Sequence, residues 1–276
     1  MSSVITLNNG VPIPQLGFGV FLVPPKDTEA VVSTALEVGY RSIDTAAAYQ
    51  NEEGVGRAIA SSHLARDEVF VTTKLWNAHH GYDRALRAFD ASAQRLGLDT
   101  VDLYLIHWPV PAADRYVETW KALEKLAADG RARAIGVSNF AVEYLRRLVD
   151  ETATVPAVNQ VELHPYFQQT DLRAEHAELG IATEAWSPLG QGGALLSDPT
   201  ITRLADRHGV TPAQVVLRWH LQLGNIVIPK SANPARMRQN LDVFGFELSA
   251  EDLSAIADLE TGKRIGPDPA TANFGS

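Results

Sequence analysis

The sequence predicts an α/β fold in which eight parallel strands close into a (β/α)8 TIM barrel, and three observations carry that prediction. Short apolar runs alternate with amphipathic segments along the whole chain, the signature of strands covered by helices. Eight such strand–helix units fit into 276 residues, close to the roughly 250 residues such a barrel uses as one domain. The competing architecture, a doubly wound sheet, usually carries a glycine fingerprint after its first strand. The nearest candidate here, "GFGVFL", lacks the third glycine.

The elements follow in order. The opening "ITLNNGVPIP" reads as an N-terminal β-hairpin, with Asn9-Gly10 supplying the turn. Barrel strands are predicted over 15–20, 40–44, 69–75, 101–107, 132–137, 157–162, 181–186 and 225–230. Between them, "TEAVVSTALEVG", "YDRALRAFDASAQRLG", "VETWKALEKLAADG" and "PAQVVLRWHLQLG" place apolar residues at i, i+3 and i+4, and close on glycine. After the helix-like "SAEDLSAIADLE" comes the tail "TGKRIGPDPATANFGS". Its two prolines and three glycines predict a C-terminal loop able to fold back near the barrel mouth. No Pro/Gly/Ser-rich linker divides the chain, so 1–276 is expected to be a single domain.

Composition narrows the function. The chain is 45% hydrophobic and 21% charged, ordinary for a globular protein. It has no cysteine, which fits a reducing, cytoplasmic setting. "MSSVITLNNG" has neither the basic start nor the apolar run of a secretory signal, and no apolar stretch approaches the roughly 20 residues of a membrane span. A formal charge of −9 disfavours nucleic acid and acidic membrane as partners. Any anionic ligand must therefore meet a local cluster of positive charge.

In such a barrel, chemistry collects at the C-terminal ends of the strands. The second strand ends in Asp44, with Tyr49 in the following loop; the third delivers Lys74 and the fourth His107. Each alone has a plainer reading. Asp44 suits a helix cap, Tyr49 a core edge, and His107 a hydrogen-bonded core histidine. Lys74, inside "VFVTTKLW", is different, because a buried ammonium needs a carboxylate and Asp44 on the adjacent strand is the available one. A free tyrosine titrates near about 10, and a neighbouring Lys74 cation is expected to stabilise its phenolate and lower that value. His107 can orient a substrate oxygen. The set suits proton delivery to a carbonyl oxygen whose carbon receives a hydride.

These residues lie in the motifs "GYRSIDTAAAYQNEEGVG", "TTKLW", "VDLYLIHWP", "AIGVSNF", "NQVELHP", "SPLG" and "VIPKSANPARMRQN". Together they resemble the aldo-keto reductases across essentially the whole chain, and within them the bacterial branch that includes diketogluconate reductases. The resemblance implies NADPH bound by a barrel without a Rossmann fold, and reduction of small dicarbonyls, aldehydes or keto-sugars by an oxidoreductase acting as a monomer. It implies Tyr49 as proton donor, with Lys74, Asp44 and His107 around it. Many relatives have glycine after that tyrosine where this chain has Gln50.

The resemblance also assigns the cofactor contacts. Ser138, Asn139 and Gln160 would meet the nicotinamide carboxamide, and Trp186 would stack on its ring. Ser187 to Gly190, including Leu189, with Gln191, would form the pyrophosphate loop. Lys230, Ser231 and Arg236 would meet the 2′-phosphate, with Gln239 and Asn240 near adenine. Some relatives carry a further arginine at the place of Asn233. Leu22, Trp76 and Trp108 are expected as walls of the substrate pocket, with Arg264 of the tail as a carboxylate contact. His79 and His80 in "NAHH" lack further ligand spacing and are read as solvated, so no metal is expected. Two other readings use the same residues: a Schiff-base aldolase with Lys74 as nucleophile, and a non-catalytic subunit that senses NADPH.

Overall fold

The chain begins with a short antiparallel ribbon. In the computed structural model, which describes residues 3–275, β1 (Val4–Thr6) pairs with β2 (Pro12–Pro14), Ile5 opposite Ile13. Gly10 takes the left-handed conformation at the turn, φ +86°. The ribbon covers the barrel floor, where Leu7 and Ile13 pack on Phe70, Leu103, Ala134, Val158 and Ile226. Asn8 and Asn9 fasten it by donating to the carbonyls of Pro156 and Arg133.

The barrel strands are β3 (Phe18–Gly19), β4 (Ser42–Asp44), β5 (Phe70–Leu75), β6 (Val101–Ile106), β7 (Ala132–Ser138), β8 (Val158–Glu162), β9 (Ala182–Trp186) and β10 (Ile226–Val227). They run parallel in sequence order. The expected strands 15–20 and 225–230 shrink to two residues each because the seam between them is held by separate bonds rather than a continuous ladder. Leu16 bridges Val227, and the N–H groups of Gly17 and Gly19 donate to Val227 and Pro229. A Cβ on Gly19 would lie 2.8 Å from the Ile228 carbonyl oxygen, and one on Gly17 3.0 Å from Ser42 Oγ. Gly19 therefore serves close backbone approach at barrel closure, and Gly17 leaves room for the side chains of Ser42 and Ile228.

Helices α1 (Pro25–Val38), α2 (Glu52–Ser61), α3 (Tyr82–Leu96), α4 (Tyr116–Ala128), α5 (Val142–Glu151), α6 (Thr170–Leu179), α7 (Pro199–His208), α8 (Pro212–Gln222), α9 (Pro234–Leu241) and α10 (Ala250–Ala257) cover the outside. Their boundaries are chemically marked. Gly97, Gly180 and Gly209 end α3, α6 and α7 in left-handed conformations. Asp198, Thr211, Asn233 and Ser249 cap α7, α8, α9 and α10 with side-chain oxygens. Apolar faces of helices and strands form the main core around Phe18, Phe89, Trp120 and Trp219. What matters for function is the opposite end from the ribbon, where Asp44, Ser138, Glu162 and Trp186 are the last residues of their strands.

Candidate active site

Lys74 is completely buried, yet its ammonium ends on polar atoms. Its Nζ donates to Asp44 Oδ1 at 2.6 Å and to the Thr45 carbonyl at 2.8 Å. The pairing of Lys74 with Asp44 anticipated in the sequence is present, and Asp44 caps no helix. The β4–α2 loop that carries Tyr49 is fixed from within. Thr45 Oγ1 donates to Asn51 Oδ1 at 2.7 Å, and Asn51 Nδ2 reaches the Val20 carbonyl at 3.0 Å. A single 3-10 turn, Ala47–Tyr49, then ends in Gln50, exposed and in the left-handed region at φ +56°. That conformation favours glycine at this position.

Tyr49 sits between the ion pair and the mouth. Lys74 Nζ lies 5.1 Å from its ring centroid, and the His107 ring meets it edge-on with centroids 5.7 Å apart. The expected lowering of the phenol pKa is not what results. Burial raises it, Lys74 pulls it back, and the net value stays above that of free tyrosine. For Lys74, burial lowers the pKa, but Asp44, Tyr49 and Glu184 outweigh burial, so the ammonium is favoured. His107 is pushed well below its usual range by burial and by Lys74, so its ring is neutral.

Two side chains beside this set were not found in the sequence. Gln160 Nε2 donates at 2.8 Å both to Asp44 Oδ2 and to Oε2 of the first of them, Glu184, a buried carboxyl from β9. Glu184 in "IATEAW" gives no signal of its own; only the barrel's inward alternation could have exposed it. The second, Phe21, packs on Tyr49 with centroids 5.1 Å apart.

The residues assigned to the cofactor gather along the mouth from β7 to α9. Ser138 Oγ donates to the Gln160 carbonyl at 2.8 Å, and Asn139, at φ +64°, accepts from Trp186 Nε1 at 2.8 Å through Oδ1. Gln160 spends its side-chain N–H groups on the two carboxyls. After Trp186 the chain twists repeatedly through left-handed conformations, at Ser187 (φ +48°), Gly190 (φ +59°), Gln191 (φ +56°) and Gly192 (φ +78°), with Leu189 between. Within this loop the N–H groups of Gly190 and Gly192 donate to the carbonyls of Ser187 and Leu189. Beyond β10, Lys230, Arg236 and Gln239 are exposed, Ser231 is partly exposed and Asn240 is buried. No carboxylate pairs with Lys230 or Arg236 among the described residues. In an acidic protein, two such exposed cations close together in the chain fit phosphate groups. Asn233 is engaged within the protein, where its Oδ1 accepts from the N–H groups of Ala235 and Arg236 to cap α9.

The expected pocket walls separate into two kinds. Trp76 meets His107 at 5.5 Å between centroids, and Trp108 stacks on it at 6.4 Å. Leu22 stands 72% exposed at φ +61°, and its neighbour Phe21 is the side chain that packs on Tyr49. The tail does return to the mouth: Phe274 packs on Trp76 and Trp108 at 5.9 and 5.2 Å, and its carbonyl accepts from Asn77 Nδ2 at 2.8 Å. Arg264 lies over the Phe167 ring, 4.5 Å from its centroid. His79 is exposed as expected, but His80 is buried, and burial lowers its pKa to about 4. No group of metal-ligating residues forms among the described residues.

Comparison with known proteins bears on this geometry. The Aldo/keto reductase family model matches residues 16–261. An aldo-keto reductase of Mycolicibacterium smegmatis is 62% identical over 274 residues, 99% of either chain. The methylglyoxal reductase DkgA of Yersinia pestis is 55% identical over 278 residues, 100% of this chain and 99% of its own. The crystal structure of a Gox0644 mutant in complex with NADPH superposes with a TM-score of 0.95 at 53% identity, covering 99% of this chain and 100% of that one.

Proposed function

This chain belongs to the aldo/keto reductase family, and from that membership we propose that it reduces aldehydes and ketones to alcohols with Tyr49 as the proton donor. It is an NADPH-dependent carbonyl oxidoreductase. Bound NADPH supplies the hydride to the carbonyl carbon. The observation that carries the role of Tyr49 is its place between the buried Lys74–Asp44 pair and the neutral His107.

Burial keeps the phenol protonated until it is needed. Lys74 then stabilises the phenolate left when the proton goes to the nascent alkoxide, and Asp44 keeps the ammonium in place. His107, uncharged, holds the carbonyl oxygen toward Tyr49. The aldolase reading needs a neutral amine at Lys74, and the raised pKa of that residue works against it.

For the cofactor, Ser138, Asn139 and Gln160 hold the nicotinamide amide, and Trp186 supports the ring. The turns through Ser187, Leu189 and Gln191 bind pyrophosphate, Lys230, Ser231 and Arg236 hold the 2′-phosphate, and Gln239 and Asn240 flank adenine. Small dicarbonyls, aldehydes and keto-sugars fit a mouth of Phe21, Trp76, Trp108 and Phe274 around two polar groups. The chain acts as one domain and a monomer in the cytoplasm, a reading that rests on one closed barrel, the absence of cysteine and the use of NADPH.

The test is NADPH consumption with these carbonyl classes for the wild type and Tyr49→Phe. Turnover is expected to fall by about 10²–10⁴-fold in the variant while NADPH binding persists. Undiminished turnover would remove Tyr49 from the mechanism. Tight NADPH binding by the wild type without turnover on any class would favour the sensor.

A further inference from the structure

One buried acid has no part in these proton and hydride transfers. Glu184 lies in mid-β9, opposite Gln160 on one side and Ile226 on the other. It is almost completely buried. Through the two N–H groups of a single amide, Gln160 ties it to Asp44. The barrel interior here thus holds two carboxyls and one ammonium, and Lys74 makes its contact with Asp44. One cation cannot neutralise both acids in a buried site, so the second is under pressure to keep its proton.

We propose that Glu184 is a positioning residue of the proton-donating set: through Gln160 it fixes Asp44 against Lys74, and its ionisation state sets how firmly Tyr49 holds the proton it delivers. This rests on the reading of Tyr49 as the donor. The groups facing Glu184 are Asp44 from β4, Tyr49 from the turn beyond it, Lys74 from β5 and Gln160 from β8; β10 contributes the apolar Ile226.

The direction of the effect follows from these charges. Burial first, then Asp44, raises the Glu184 carboxyl to about 7, against the smaller opposing pull of Gln160 and Lys74. Below that pH Glu184 is neutral and the Asp44–Lys74 pair stands balanced. Above it, a second negative charge faces the set and raises the proton affinity of both Lys74 and Tyr49. Proton delivery therefore slows from one plateau to a lower one as pH rises through about 7. Stability follows the same group. The folded chain binds this proton more tightly than the unfolded chain, whose value is near 4.5. This contribution is present below about 4.5, declines as pH rises and is lost by the folded value near 7.

The experiment is the single-turnover rate of NADPH oxidation against pH for the wild type, Glu184→Gln and Tyr49→Phe. It is paired with a ¹³C titration of δ-labelled glutamate carboxyls. The expected result is a limb near pH 7 in the wild type, absent in Glu184→Gln with NADPH affinity unchanged, and a carboxyl resonance titrating in the same range that the variant lacks. A limb that persists in Glu184→Gln, or no carboxyl titrating there, overturns the proposal. If Glu184→Gln does not fold, Glu184→Asp replaces it; a limb that shifts supports the proposal, and one that stays in place overturns it. Tyr49→Phe is read separately: full turnover in it defeats the donor assignment, whatever Glu184 does.

Discussion

Lys74 shows how a single residue announces a site. A lysine inside an apolar strand has no cheap place to put its charge, so the sequence alone demands a carboxylate, and Asp44 supplies it at 2.6 Å. Removing one member leaves the other charged and uncompensated. Lys74→Met is expected to lose about 3–5 kcal/mol of stability, along with carbonyl reduction. Adding Asp44→Asn to it should restore part of the stability, because the stranded charge is gone, but none of the turnover. Urea melts of the two single variants and the double variant give the coupling; strictly additive losses would mean that the two residues do not act as a unit. The same reasoning from sequence misjudged Tyr49, because proximity to Lys74 is visible in a motif whereas the extent of desolvation is not. Glu184 was illegible for a related reason: one glutamate in a short strand gives no hint of which face it takes.

At the scale of elements, strand and helix order was legible throughout, since it depends on periodicity that local sequence carries. Close approaches were not. Gly17 and Gly19 read as a broken nucleotide fingerprint until the barrel seam gave them a use. Gly56 is similar. It lies inside α2, where an ordinary Gly→Ala exchange gains up to about 1 kcal/mol of helix stability. Here the new methyl group would stand 2.2 Å from the Leu96 carbonyl oxygen at the end of α3. That oxygen is backbone and cannot turn aside. Gly56→Ala is therefore expected to reverse the usual sign and destabilise by about 1–3 kcal/mol, read as a fall in the urea midpoint. A gain in stability would show that α2 and α3 can separate without cost. The neighbouring ties from Glu52 of α2 to Thr73 of β5 and to Arg95 of α3 make that separation expensive.

The whole molecule adds a relation no segment shows. The tail leaves α10, bonds to Tyr166 at Thr261, and meets the end of β8, where the Glu162 carboxylate accepts from the N–H groups of Ile265 and Gly266. It then crosses to the far side of the mouth, where Ala272 and Phe274 pack on Trp76 and Trp108. A composition of prolines and glycines predicted a loop near the mouth, but the anchor is a buried acid on a strand more than a hundred residues earlier. Burial raises the Glu162 pKa, yet His164 and the two backbone donors outweigh it and leave the net value lowered. An acid depressed in the folded state stabilises above its unfolded value, near 4.5, and loses that contribution as pH falls through the lower folded value. The anchor at Glu162 is therefore at full strength at neutral pH and is expected to weaken as pH falls through that lower value. Glu162→Gln, which replaces an accepting oxygen with a donor, should weaken the anchor in the same way at neutral pH. Hydrogen bonds to a charged acceptor are worth about 1.5–3 kcal/mol, so amide exchange at Ile265 and Gly266 should quicken by roughly 10–100-fold. The KM for carbonyl substrates should rise more than kcat falls, because the change loosens the mouth and leaves the Tyr49 set intact. Unchanged exchange would mean that the aromatic contacts at the far end hold the strap without help from Glu162.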